Sequence, residues 1–133
     1  AISGDHNPLH LDPEYAAKTE FGECIAHGML SGAFISAAIA MQLPGPGSVY
    51  LSQNLRFLAP VFLGDTITAE LQVIEKHAKR PWITLGCKIT NHSGILVADG
   101  EARVVAPTIR QTVTIIPPPA IHLLEEAELA DSG

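Results

Sequence analysis

Residues 28–42, GMLSGAFISAAIAMQ, carry no charged side chain and are apolar or small on every side of a helix. A helix without a polar stripe has no solvent face, so the pattern predicts a buried helix with the rest of the chain built around it. Its Gly, Ala and Ser residues let neighbouring backbone approach closely. Leu43-Pro44-Gly45 closes it, because proline cannot continue the hydrogen-bond ladder. A chain of 133 residues has room for one domain of ordinary size. That helix is therefore expected at the centre of a single core.

Past the Pro44-Gly45-Pro46-Gly47 turn the periodicity changes from helical to alternating. Ser48–Leu58, Thr66–Glu75, Trp82–Asn91 and Ile95–Val105 read as strands. Pro60 with Gly64-Asp65, residues 78–81, and His92-Ser93-Gly94 separate them. Such short connections predict antiparallel neighbours, since parallel strands need long crossovers. The expected fold class is α+β, an antiparallel sheet wrapped around a central buried helix. Ahead of the helix, residues 1–12 read as loop. A short helix is then predicted with Asp12 as its N-cap and Pro13 at its first position, running to about Lys18.

Charge excludes several function classes. Eight Lys plus Arg against fourteen Asp plus Glu give a formal net charge of −6, and the largest basic cluster is Lys79-Arg80. No nucleic-acid partner is expected from that distribution. The longest nearly apolar stretch, Ala33–Met41, is shorter than the ~18 residues a membrane span needs, so no membrane is expected either. Cys24 and Cys87 form no CxxC pair, which points to a reducing cytoplasm rather than a disulfide scaffold. Asn91-His92-Ser93 reads as a turn. Charged residues make up only 17% of the chain, which with the long alternating strands predicts a homodimer joined through an edge strand.

The chemistry concentrates in Ser3-Gly4-Asp5-His6-Asn7-Pro8-Leu9-His10. Asp5 and His10 lie five residues apart in a turn bent by Pro8, so their heads can converge on one water. Asn7 can hold that turn through side-chain-to-backbone hydrogen bonds. His6 and His10 have HxxxH spacing, but Pro8 between them argues against a helical pair and no third ligand is evident. No metal and no cofactor are expected. His27 reads as a residue shaping the loop before the helix, and Cys24 as a small buried apolar residue. Arg56, Lys79, Arg80 and Arg103 read as solvated single charges.

This octapeptide resembles the signature of the MaoC-like, hotdog-fold (R)-specific enoyl-CoA hydratases. The similarity continues through Ala26-His27-Gly28-Met29, Ser48-Val49-Tyr50-Leu51, Leu55-Arg56-Phe57, Pro60-Val61 and Gly64-Asp65. It also extends to the hydratase-like domain fused to phosphate acyltransferases, and spans about residues 1–106. The resemblance implies reversible hydration of a trans-2-enoyl-CoA to the (3R)-hydroxyacyl-CoA, with an acyl-CoA thioester as substrate. It implies that Asp5 and His10 activate the water. It also implies that the Gly28 N–H, at the start of the central helix, receives the charge on the thioester oxygen. Asn7, Ser36, Ile39 and Tyr50 are expected at the substrate, Ile39 because Ile35, Ile39 and Leu43 recur at helical spacing. The alternatives are a hotdog acyl thioesterase, an acyl-carrier-protein dehydratase type, or a non-catalytic acyl-thioester-binding module. The first two commonly place an acid on the central helix, and residues 28–42 have none. Binding modules have no need of the Asp5 and His10 pair.

The resemblance further implies a first strand ahead of the Ser3-Gly4-Asp5 element, where only Ala1 and Ile2 stand here. Residues 1–106 are thus expected to form the domain with that strand apparently missing. Residues 107–133 are expected to be a Pro-rich tail. Within the tail Ile109–Ile116 alternates like a strand that could replace the missing one, although Pro117-Pro118-Pro119 favours a linker. Ala120–Ala130 reads as a short acidic helix.

Overall fold

A computed structural model describes residues 2–117 of the chain. Its elements, in order, are α1 (Pro8–Leu11), α2 (Pro13–Ala17), α3 (Gly28–Met41), β1 (Val49–Gln53), β2 (Arg56–Phe57), β3 (Ile67–Lys76), β4 (Trp82–Asn91) and β5 (Leu96–Val105). All pairings are antiparallel, in the order β1-β5-β4-β3, with β2 also on β5. The α+β hotdog architecture follows, with α3 laid on one face of the sheet. Ile35 and Ile39 of α3 meet Leu85, Cys87 and Ile89 of β4 and Val97, Ala98, Ala102 and Val104 of β5 in one core. Each large aliphatic side chain buried there contributes roughly 1.5–3 kcal/mol.

Five sequence expectations need correction. The helix is not buried all round, because one sheet can cover only one side of it. Ser31, Ile35 and Ile39, spaced four apart, are its buried stripe, whereas Met29 is 69% exposed and Leu30, Phe34 and Met41 are nearly half exposed. The loop expected over residues 1–12 contains a full helical turn, α1, because Asn7 caps it and Pro8 occupies its first position. The neighbour rule fails once. Residues 58–66 carry the chain from β2, on one side of the sheet, to β3 at the opposite edge, crossing near the start of α3. There Ala26 N–H donates to the Val61 carbonyl at 2.7 Å and Ile25 bridges Phe62.

The fourth correction concerns the tail. Residues 106–117 form no strand, so Ile109–Ile116 does not replace one. Ala106 N–H makes a last bond, 2.7 Å to the Pro81 carbonyl, and Pro107 has no N–H with which to extend the ladder. Residues 107–113 instead lie beside the Pro44–Gly47 turn. The helix expected over Ala120–Ala130 lies outside the described residues.

The strand expected over Ser48–Leu58 is interrupted at Asn54 and Leu55. Asn54 N–H donates to the Glu101 carbonyl at 3.0 Å, and Glu101 N–H donates back to Asn54 Oδ1 at 3.1 Å. This exchange brings the Asn54 carbonyl onto Gly100, where a side-chain carbon would lie 2.0 Å from that oxygen. Only glycine fits, and the break sets the course of β2 and of the residues after it. At the other hairpin, Asn91 Oδ1 accepts from Ser93 N–H and Ile95 N–H, a closed turn as expected.

Candidate active site

The first ten residues fold by chained local hydrogen bonds. Gly4 takes φ +74°, a conformation that side chains disfavour, and lets Ser3 Oγ accept from Asp5 N–H at 3.3 Å. Asp5 Oδ1 accepts from Asn7 N–H, and Asn7 Oδ1 from Leu9 N–H, each at 3.1 Å. These Asx turns explain why Ser, Gly, Asp, Asn and Pro stand in this order. They also consume only one Asp5 oxygen. The other, Oδ2, lies 4.0 Å from His10 Nε2 and 3.6 Å from His27 Nε2.

The histidines are held by different bonds. His10 sits on α1 with its side chain only 12% exposed, and its Nδ1 lies 2.8 Å from the Ile25 carbonyl. A carbonyl can only accept, so Nδ1 carries the proton and neutral His10 presents a lone pair at Nε2. His27 precedes α3, donates from Nε2 to the Asp5 carbonyl at 3.0 Å, and stacks on the His10 ring with centroids 3.9 Å apart. Read as loop shape in the sequence, His27 in fact touches both members of the pair. The residues are 22 apart in sequence from Asp5, so no local pattern could have joined them.

His10, His27 and Gly28 wall one cavity of about 270 Å³. Its other sides are mostly apolar, including Phe21, Phe57, Val61 and Val97, with Ser31 the remaining polar side chain. Gly28 opens α3, and His27 as N-cap makes no side-chain capping bond. The Gly28 N–H donates to no protein acceptor among the described residues. It therefore stays free, at the positive end of the helix dipole, for an anionic oxygen. A larger depression of about 520 Å³ lies between Arg56, Glu70, Lys88, Asp99 and Glu101, but holds neither a histidine nor a helix start. Arg56 is not a lone solvated charge: it grips Asp99 through two bonds of 2.9 and 2.8 Å.

The other expected substrate contacts sit elsewhere. Asn7 is an exposed helix cap. Ser36 lies beyond the cavity, and Ser31, one turn after Gly28, holds the cavity wall. Ile39 is 1% exposed within the core. Tyr50 packs against that core and donates to Gln53 Oε1. Burial, with Cys87 adding to it, raises the Tyr50 pKa to about 12, so it remains a neutral phenol. Both cysteines are free and buried, and burial pushes the Cys87 thiol up, away from nucleophilic use.

Several known proteins are similar to this chain in sequence and fold. The family model described as MaoC like domain matches residues 1–91. The chain is 48% identical to an (R)-specific enoyl-CoA hydratase of Aeromonas caviae over 107 residues, 80% of each chain. It is 44% identical to a 3-hydroxybutyryl-CoA dehydratase of Methylorubrum extorquens over 106 residues, 80% of this chain and 67% of that one. The unliganded R-hydratase of Pseudomonas aeruginosa superposes with a TM-score of 0.85 at 51% identity, covering 92% of this chain and 78% of that one.

Proposed function

The chain belongs to the MaoC-like domain family of hotdog-fold proteins, and from that membership we propose that it adds water reversibly to a trans-2-enoyl-CoA, yielding the (3R)-hydroxyacyl-CoA. The observation that carries this reading is the 4.0 Å gap between two acceptors, Asp5 Oδ2 and His10 Nε2. One water donating hydrogen bonds of about 2.8 Å to both spans about 4.4 Å at its own H–O–H angle, and meets the 4.0 Å gap with the angle between the two bonds closed to about 90°. Both its protons are then held and a lone pair is left facing outward. That is a nucleophile aimed at C3 of an enoyl group.

As the water oxygen bonds to C3, one O–H bond breaks and its proton passes to the Asp5–His10 pair. The C2=C3 electrons move toward the thioester carbonyl, whose oxygen becomes an enolate. The Gly28 N–H stabilises that charge, a type of contact worth about 3–4 kcal/mol in related chemistry. The pair returns a proton to C2, so the site ends in the protonation state in which it began. His27 is a positioning residue, bonded to the Asp5 backbone and stacked on His10. The apolar walls hold the acyl chain, with Ser31 as their polar contact. Asn7 serves binding by holding the turn, and Ile39 and Tyr50 by packing beneath the helix. Residues 1–106 form the hydratase domain in this assignment, and 107–133 its tail. The test is spectrophotometric: crotonyl-CoA should lose its enoyl absorbance without releasing free thiol, whereas thiol release would assign a thioesterase.

The enzyme works as a homodimer in the cytoplasm under the same proposal. Met29, Leu30, Phe34 and Met41 of α3, with Val49 and Leu51 of β1, are large apolar side chains left exposed, which supports cover by a second copy. A second copy covering them also protects the open β1 edge. Free, buried cysteines suit a reducing compartment, and among the described residues no helix is long and apolar enough to cross a membrane. Sedimentation at micromolar concentration should return twice the chain mass; a single-chain mass would remove the dimer.

A further inference from the structure

The sequence offered HxxxH as a metal pattern and no third ligand, but the fold assembles a different set. His6 takes no part. Asp5, His10 and His27 bring one carboxylate oxygen and two ring nitrogens within 4.8 Å of one another. We propose that this trio binds a divalent zinc-like cation and that its occupancy switches hydration off. Binding follows from donor geometry alone; inhibition rests in addition on the hydratase reading.

Two imidazoles and a carboxylate form a donor set suited to zinc, which accepts three protein ligands and leaves a fourth position open. With metal–ligand bonds of about 2.0–2.1 Å, tetrahedral donors stand about 3.3 Å apart. Asp5 Oδ2 is already 3.6 Å from His27 Nε2 and 4.0 Å from His10 Nε2, so these gaps close by only about 0.3 and 0.7 Å. The outer contacts also fit. His10 Nδ1 is tied to the Ile25 carbonyl and Asp5 Oδ1 to Asn7 N–H, which leaves His10 Nε2 and Asp5 Oδ2 as the uncommitted donor atoms. His27 joins by releasing its bond to the Asp5 carbonyl, moving its ring proton from Nε2 to Nδ1 and tilting out of its stack on His10, since nearly parallel rings cannot aim both lone pairs at one ion. Side chains that are 12%, 35% and 50% exposed leave the ion a route in from solvent.

Occupancy and hydration exclude each other because they use the same lone pairs. A cation on Asp5 Oδ2 and His10 Nε2 removes both acceptors of the reacting water. The group that must take its proton is then bound to metal.

Calorimetric titration of the whole chain with zinc chloride tests binding. One ion per chain at micromolar affinity is expected, weakened at least tenfold in each of Asp5→Asn, His10→Ala and His27→Gln. His92→Ala, which alters the separate His92–Asp65 contact, should bind like the parent. Circular dichroism identifies any variant that fails to fold, and the remaining ones decide the matter. No micromolar binding, or unchanged affinity in all folded variants of the trio, overturns the site. In the crotonyl-CoA assay, zinc at saturating concentration should suppress hydration at least tenfold and EDTA should restore it. Zinc bound through the trio with hydration undiminished overturns the switch. Zinc bound there by a chain inactive even in EDTA upholds the site and sinks the hydratase reading instead.

Discussion

Asp5→Asn is expected to lower crotonyl-CoA hydration by about a thousandfold while leaving the fold intact. General-base catalysis contributes typically about 10²–10⁴ in rate, so the loss corresponds to roughly 4 kcal/mol of barrier. The substitution is selective because the two carboxylate oxygens have separate tasks. Oδ1 accepts from Asn7 N–H, which an amide oxygen can still do. Oδ2 faces His10 and His27, and an amide nitrogen there donates where the water needs an acceptor. An unchanged thermal melt beside the lost rate is the expected pair of results. A variant within tenfold of the parent rate would remove Asp5 from the reaction.

Gly100→Ala acts through the fold. Its new methyl would stand 2.0 Å from the Asn54 carbonyl oxygen and 2.8 Å from the carbonyl carbon. Both atoms are backbone, so no side chain can swing away. Relief requires separating the β5 backbone from Asn54 and giving up the reciprocal bonds between Asn54 and Glu101. Overpacking and the lost bonds together should destabilise the domain by about 3 kcal/mol or more, a fall in Tm on the order of 10 °C. Activity should suffer as well, since β2 leads into Phe57 and Leu58 on the cavity wall. Urea and thermal unfolding measure the change. Destabilisation below about 1 kcal/mol would mean that Asn54 does not press on Gly100 as described.

What was legible in the sequence was what short-range physics controls. Alternation marked β3, β4 and β5 to within a residue or two, and Asp12-Pro13 marked the start of α2. The geometry of Asp5 was readable because Ser3, Gly4, Asn7 and Pro8 make their bonds within a few residues of one another. Long-range contacts were not readable. His27 reaches Asp5 across 22 residues, and the break after β1 comes from Gly100 on another strand. The exposed side of α3 could not be foreseen either, since composition registers that a helix is apolar and not how much sheet there is to cover it. Ser31 was available from spacing, as the polar side chain within one turn of Gly28.

Hydration in oxygen-18 water tests the central claim most directly. The chain is incubated with crotonyl-CoA, and the intact thioester is analysed by mass spectrometry and by an enzyme that oxidises only (3R)-hydroxyacyl-CoA. The account predicts label on C3 of an unbroken coenzyme A thioester, oxidised by the R-specific enzyme, at a rate that Asp5→Asn lowers about a thousandfold. Label in a free carboxylate, an S-configured product, or crotonyl-CoA returned unchanged would contradict it.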